Sequence, residues 1–235
     1  MIMAVTRDIR TTNSKSVGSW PAASAIVFGA AIAGSTLTQD AETVAPATAQ
    51  TSILGLADKR KFVPKGGYDG RYEQYDPVPV VGEEGMALVT PNGANVNIDF
   101  GDFLEVAALG DGSTSAHGIL EEAGSNAGTV FTIATVAKAL EAVTMGSGKY
   151  KVPASDVAVG ATSITMTDGD PITNMGLSAG DFILLEDLDG ACQVNKVAAV
   201  TATVITLAWP STVALTVSDN DLVTRLFPCK VKLIK

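Results

Sequence analysis

Short apolar runs separated by glycine and acidic turns dominate residues 24–143. The first are Ala25-Ile26-Val27-Phe28 and Ala30-Ala31-Ile32-Ala33, each long enough for one strand. Thr43-Val44-Ala45 and Ile53-Leu54-Gly55-Leu56-Ala57 follow, then Val78-Pro79-Val80-Val81, residues 85–89 and 95–98, and Phe103-Leu104-Glu105-Val106. Residues 118–120 and 129–132 complete the set. Brief apolar patterns bounded by Gly, Pro, Asn and Asp predict strands. One stretch differs: Val136, Leu140 and Val143 recur at helical spacing, predicting a helix of about two turns around residues 136–141.

Gly146-Ser147-Gly148 marks a boundary. Beyond it, residues 152–223 carry a second β pattern, including Ser163-Ile164-Thr165-Met166, Asp181-Phe182-Ile183-Leu184-Leu185 and Val204-Ile205-Thr206-Leu207. Turns fall at Asp168-Gly169-Asp170-Pro171 and at residues 187–190. The closing Lys230-Val231-Lys232-Leu233-Ile234-Lys235 alternates charged and apolar residues, as an exposed-edge strand does. Gly101-Asp102-Phe103-Leu104 is echoed by Gly180-Asp181-Phe182-Ile183, each a turn launching an apolar strand. Neither half has a solenoid period. The expected fold is mainly β: a small barrel or sandwich domain with one short helix over residues 22–148, and a second small β domain over 149–225. Residues 1–21 are polar, unpatterned and end at Trp20-Pro21, so they are read as an extended N-terminal arm.

Composition sharpens this picture. At 235 residues and 46% hydrophobic, the chain has enough apolar mass for a real core and is not a disordered protein. Aromatics are only 6% and charged residues 17%, so that mass is mostly Ala, Val, Ile and Leu; with 23 Gly it suits short strands and tight turns. Residues 22–34 resemble a secretory signal, with Ala31-Ile32-Ala33 as a mock cleavage site. Trp20-Pro21 before the run and Gly29 within it favour a strand pair instead, and about 13 residues cannot span a bilayer. Cys192 and Cys229 lie in no CxxC pair and are expected as buried thiols of a protein made in a reducing cytoplasm, one disulfide being the alternative.

The formal net charge of −9 argues against general nucleic-acid binding, which needs Lys and Arg to displace counterions from phosphates. The charge is uneven. Arg7, Arg10 and Lys15 outweigh Asp8 in the arm; Lys59, Arg60, Lys61, Lys65 and Arg71 cluster in one loop; residues 72–137 contain no Lys or Arg. Such asymmetry fits a protein that meets a partner on one side and water on the other.

Catalytic chemistry is thin. His117, the one histidine, sits among Ser and Thr with no nucleophile elbow, and is expected in a surface loop. A zinc site built from it and two distant cysteines lacks ligand spacing. Gly146-Ser147-Gly148-Lys149 fails the phosphate-loop pattern, since Val143 replaces the first Gly and Tyr150 the hydroxyl residue. Asp168, Asp170, Asp187 and Asp189 suit calcium by residue type, but no EF-hand string runs through Gly190, and Asp-Gly turns are ordinary hairpin punctuation. No cofactor or metal is expected. Residues 58–75 are different: five basic residues are interleaved with Phe62, Tyr68, Tyr72 and Tyr75 in a long loop. Arg and Tyr dominate protein–protein hot spots, and the acidic remainder favours protein over single-stranded nucleic acid as the partner.

Gly29-Ala30-Ala31-Ile32-Ala33-Gly34, Val44-Ala45-Pro46-Ala47, Ile53-Leu54-Gly55-Leu56-Ala57, Tyr75-Asp76-Pro77-Val78-Pro79-Val80 and Gly101-Asp102-Phe103-Leu104-Glu105 come in an order that resembles the head decoration (capsid cement) proteins of tailed bacteriophages. Ala123-Gly124 and Val136-Ala137-Lys138-Ala139-Leu140-Glu141 extend the likeness, which covers residues 24–143. The resemblance implies a virion protein on the outer surface of an icosahedral capsid, made in the host cytoplasm. Its partners would be the major capsid protein and itself, as a trimer or other small homo-oligomer, with no membrane and no direct nucleic-acid contact. It also implies a closing strand after the helical segment, which residues 226–235 would supply, leaving 149–225 as an inserted or projecting module. Contacts would come from the arm, through Arg7, Arg10, Lys15 and Trp20, and from the loop, through Lys59, Arg60, Lys61, Phe62, Tyr68, Arg71, Tyr72 and Tyr75. Other classes stay open at this point: a carbohydrate-binding or adhesion module, which would need an exposed aromatic platform although Trp20 and Trp209 are far apart in sequence; a tail or connector component; and a hydrolase, whose activity would depend on His117 or an acid.

Overall fold

A computed structural model of the chain describes residues 16–36, 42–48, 53–58, 70–91, 97–109, 117–123, 134–145, 150–188 and 190–234. The fold is mainly β, as the patterning predicts. Strands β1 (Ser16–Pro21), β2 (Ile26–Val27), β3 (Ala31–Thr36), β4 (Glu42–Pro46), β5 (Gly55–Ala57), β6 (Arg71–Tyr72) and β7 (Pro77–Val81) come first. Five of them form an antiparallel sheet in the order β1-β7-β5-β3-β4, and β2 pairs with β6 beside it. The sheet curls until its outer strands meet just past β1, where Ala22 bridges Val44 and Ala23 N donates to Val44 O at 2.7 Å. Residues 16–21, read from sequence as the end of a free arm, are therefore a sheet strand. Their polar Ser16-Val17-Gly18-Ser19 run carries no alternation by which a strand announces itself.

The next strands are β8 (Glu84–Val89), β9 (Asn97–Ile98), β10 (Phe103–Val106), β11 (Leu120–Glu122), β12 (Thr135–Ala139) and β13 (Val143–Thr144). Then come β14 (Tyr150–Lys151), β15 (Ser163–Thr165), β16 (Phe182–Glu186), β17 (Cys192–Val200), β18 (Val204–Leu207), β19 (Leu222–Arg225) and β20 (Phe227–Leu233). A closed barrel runs β10-β11-β8-β20-β12, with β8 and β11 parallel and the other pairs antiparallel. Strands β9 and β13 pair next to it. Residues 150–225 run between β13 and β20 and build a six-stranded antiparallel sheet, β14-β19-β16-β17-β18-β15.

Two expectations change here. Residues 135–139 are strand β12, not helix: Thr135, Ala137 and Ala139 are buried, Lys138 between them is exposed, and Val136 is half-buried against the barrel cluster. Helix propensity, even alanine's, is small per residue and yields to a barrel that needs small inward side chains. The short helical turns lie instead at Asp170–Asn174 and Val217–Asp219. Strand β20 alternates in and out along its whole length, yet it is no edge, because β8 pairs on one side and β12 on the other. Alternation reports one exposed face and says nothing about a free edge.

Three apolar clusters hold the sheets together. One joins Ala31, Ala33 and Leu56 of the first sheet to Leu104, Leu120 and Val231 of the barrel. A second joins Ile26, Ile32 and Tyr72 to Leu184 and Trp209 from the six-stranded region. The third, with Ile164, Ile183 and Leu185, lies within that region. Strand β16 thus buries both faces, Ile183 and Leu185 on one and Leu184 on the other.

Both cysteines are free thiols; Cys229 is buried and Cys192 half-buried. Burial, and secondarily the Glu141 carboxylate, pushes the Cys229 thiol up to about 12. Thiolate is the reactive form, so a disulfide-exchange reagent at neutral pH should label Cys192 in the native protein and Cys229 only after denaturant is added. Equal native labelling would contradict the buried placement.

Candidate interaction surface

Of the residues expected to touch a partner, Trp20, Arg71, Tyr72 and Tyr75 lie among those described; Arg7, Arg10, Lys15, Lys59, Arg60, Lys61, Phe62 and Tyr68 lie outside them. The glycine linker at 146–149 and Asp189 lie outside as well. The fold brings the described four into one region. Trp20 on β1 sits opposite Val78 on β7, and residues 71–76 lead into β7.

Their roles separate sharply. Tyr72 is a core residue with no exposure, its ring edge-on to Phe28 at 5.0 Å between centroids and its hydroxyl donating to Asp58 O at 2.5 Å. It is not available to a partner. Arg71 is a buttress: its guanidinium lies 4.4 Å over the Trp209 ring, and its Nε donates to Glu73 Oε1 at 2.6 Å. Trp20 is half-buried against the second cluster. Tyr75 is 67% exposed.

The turn that displays Tyr75 is one of a repeated set. In residues 27–30, 73–76, 99–102, 158–161 and 178–181 the fourth residue's N–H donates to the first residue's carbonyl. The third residue has positive φ in every case, and its N–H donates to a neighbouring carbonyl, at Ala57, Ala22, Ala139, Ser211 and Val197 respectively. Each of those neighbours returns its own N–H to the fourth residue's carbonyl. Asp at the fourth position adds a carboxylate bond to the first N–H: Asp76 to Glu73 at 2.9 Å, Asp102 to Asp99 at 2.6 Å, Asp181 to Ser178 at 2.9 Å. The two-copy Gly-Asp echo in the sequence belongs to this set.

Four of the five turns place Gly at the positive-φ position, namely Gly29, Gly101, Gly160 and Gly180. The fifth places Tyr75, at φ 71°. A left-handed conformation costs a residue with a Cβ about 1–2 kcal/mol, and a bulky side chain there is uncommon. The turn is held rigidly all the same: Tyr75 N donates to Ala22 O at 2.8 Å, Ala22 N to Asp76 O at 2.9 Å, and Gln74 Nε2 to Ala23 O at 3.1 Å. Beside it, Pro21 and Pro77 face each other across β1 and β7, both exposed. No sequence signal separated Tyr75 from Tyr72, because the echo was recognisable only where glycine filled the turn.

His117, expected on the surface, is buried; its Nδ1 accepts from Ile119 N at 2.9 Å. Asp170 is also buried, its Oδ1 held by Asn174 Nδ2 at 2.7 Å and by Lys151 Nζ at 3.4 Å. Among the described residues no group of three or more His, Cys, Asp or Glu is placed to hold a metal ion, and no helix is long and apolar enough to cross a membrane. A cavity of about 460 Å³ lies between the sheets, lined by Phe28, Leu56, Met86, Phe182, Lys196 and Arg225 among others. Arg225 is tied within the protein, to Asp181 Oδ2 at 3.1 Å and to the Met175 and Gly176 carbonyls at 3.2 and 2.7 Å.

No family model, curated protein or solved structure matches this chain.

Proposed function

We propose that this is a virion structural protein that binds the outer surface of an icosahedral capsid and clamps neighbouring capsomers, acting as a trimer or other small homo-oligomer. The observation that carries the reading is the meeting of two distant segments. The end of the N-terminal segment, at residues 20–23, and the end of the basic–aromatic segment, at 71–76, are stitched together by the hydrogen bonds around Ala22. Trp20, Arg71 and Tyr75, the described members of the two stretches expected on sequence grounds to touch a partner that are not core residues, therefore lie in one region. A ligand that binds only the assembled shell stabilises it by mass action, and repeated sites add avidity. The major capsid protein is the partner, and the acidic remainder faces water.

The carbohydrate-binding alternative draws less support, since Trp209 is buried beneath Arg71 and Trp20 is half-buried. Particles prepared with and without the protein and reconstructed by electron cryomicroscopy test the proposal. Ordered density on the outer shell, lost from particles that lack the chain, is the expected result. Density confined to a tail, or none on the shell, overturns it.

A further inference from the structure

We propose that Tyr75 is the fixed anchor by which this protein seats on an uncharged, largely apolar patch of a shell protein, an inference that rests on the shell-binding reading above. Four turns of identical hydrogen bonding solve the same backbone problem with glycine; only this one holds an aromatic residue in a conformation that disfavours it. Strain of this kind persists where the side chain has a use, and here the side chain is 67% exposed. The core therefore does not account for it.

The surroundings fit recognition by contact rather than by charge. Glu73 is paired with Arg71, and the Asp76 carboxylate is occupied by Glu73 N, so the acids flanking Tyr75 already have partners. The exposed prolines Pro21 and Pro77 extend the surface. Tyrosine and proline lose little conformational freedom on binding, and a turn clamped to Ala22 and Ala23 is already in its bound shape. Among the described residues 70–77 the one cation, Arg71, is already paired with Glu73, whereas a nucleic-acid strand or an anionic lipid surface would call for a free one. A protein patch offering apolar contact suits this turn.

The test uses purified shells stripped of this protein, titrated with full-length wild type, Tyr75→Gly and Tyr75→Phe and read by co-sedimentation, with thermal unfolding of each variant measured alongside. Wild type should bind, Tyr75→Phe should stay within about three-fold of it, and Tyr75→Gly should bind at least about ten-fold more weakly. The glycine variant should unfold no lower than wild type, since glycine is the residue the turn favours. If wild type and Tyr75→Gly bind equally, the anchor is overturned and the shell reading stands. If wild type does not bind shells, both fall. If Tyr75→Gly instead dissolves an oligomer that wild type forms without shells, Tyr75 is a self-contact and the assignment to the shell is overturned.

Discussion

Replacing Gly118 with alanine should lower the unfolding free energy by roughly 3–5 kcal/mol, a clash with backbone atoms added to a disfavoured φ. Gly118 sits in a closed ring of three backbone hydrogen bonds: Ala31 N to Gly118 O at 2.7 Å, Gly118 N to Ala47 O at 3.0 Å, and Ala47 N to Ala31 O at 2.8 Å. This ring is where the lead-in to β11 of the barrel meets β3 and the end of β4 of the first sheet. A Cβ on Gly118 would overlap Ala31 O and lie 2.9 Å from Ala31 N, and φ is already +69°. Backbone cannot swing aside as a side-chain tip does. The ring must open, leaving buried amide groups without partners at a place that unites two sheets.

Gly160→Ala is the control. Its φ is +88°, but nothing lies within 4 Å of the added carbon, so only the conformational cost of about 1–2 kcal/mol applies. Chemical denaturation of both variants separates the two contributions. For a chain of this size, the Gly118 variant should also melt about 10 °C lower. If the two variants lose equal stability, contact with Ala31 is not what makes Gly118 necessary.

Strands with strict alternation were legible in the sequence. Phe103-Leu104-Glu105-Val106, Ser163-Ile164-Thr165 and the last lysine-rich stretch declared themselves because one face meets a core and the other meets water. What alternation could not convey was neighbourhood. It did not say that β20 has a partner on each side, or that β16 is buried on both faces by Leu184 on one and by Ile183 and Leu185 on the other. The small-residue stretch Thr135-Val136-Ala137-Lys138-Ala139 fits either period, and tertiary packing chose the strand. His117 is buried because the Gly118 ring draws the chain against Ala31 and Ala47, a long-range arrangement invisible in Ser115-Ala116-His117.

The contact region was legible as a composition, not as a geometry. Interleaved basic and aromatic residues pointed to 58–75, but Arg71, Tyr72 and Tyr75 looked equivalent there. Folding assigns them three different tasks: a lid on Trp209, a core ring hydrogen-bonded to Asp58, and a displayed side chain. The parallel Glu73-Gln74-Tyr75-Asp76 with Asp99-Phe100-Gly101-Asp102 emerges only when hydrogen bonds are compared, since tyrosine conceals the glycine position.

Glu121→Gln should make the protein about 3 kcal/mol more stable at pH 8 and leave it nearly unchanged near pH 4.5, the shift read from Glu121 setting the scale. Glu121 lies on β11 directly opposite Glu105 on β10. Burial is the main cause that raises its carboxyl from 4.5 to about 7; the Ala108 N–H opposes the rise, and the charges of Glu105 and of Glu186 on β16 add to it. The folded chain therefore holds a proton that the unfolded chain releases near pH 4.5. Stability from this group is complete below that pH, falls as pH climbs towards 7 by about 1.4 kcal/mol per unit, and stays at its reduced level above. Glutamine can still accept from Ala108 N–H through its amide oxygen and carries no charge to bury. Because other carboxylates titrate in both proteins, the informative quantity is the difference in unfolding free energy between variant and wild type at each pH. That difference should rise from near zero at pH 4.5 and level off above pH 7. A flat difference would mean that Glu121 is as well solvated in the folded chain as in the unfolded one. The expected curve would show instead that holding a buried charge at Glu121, beside Glu105 and Glu186, costs the folded chain stability as pH rises.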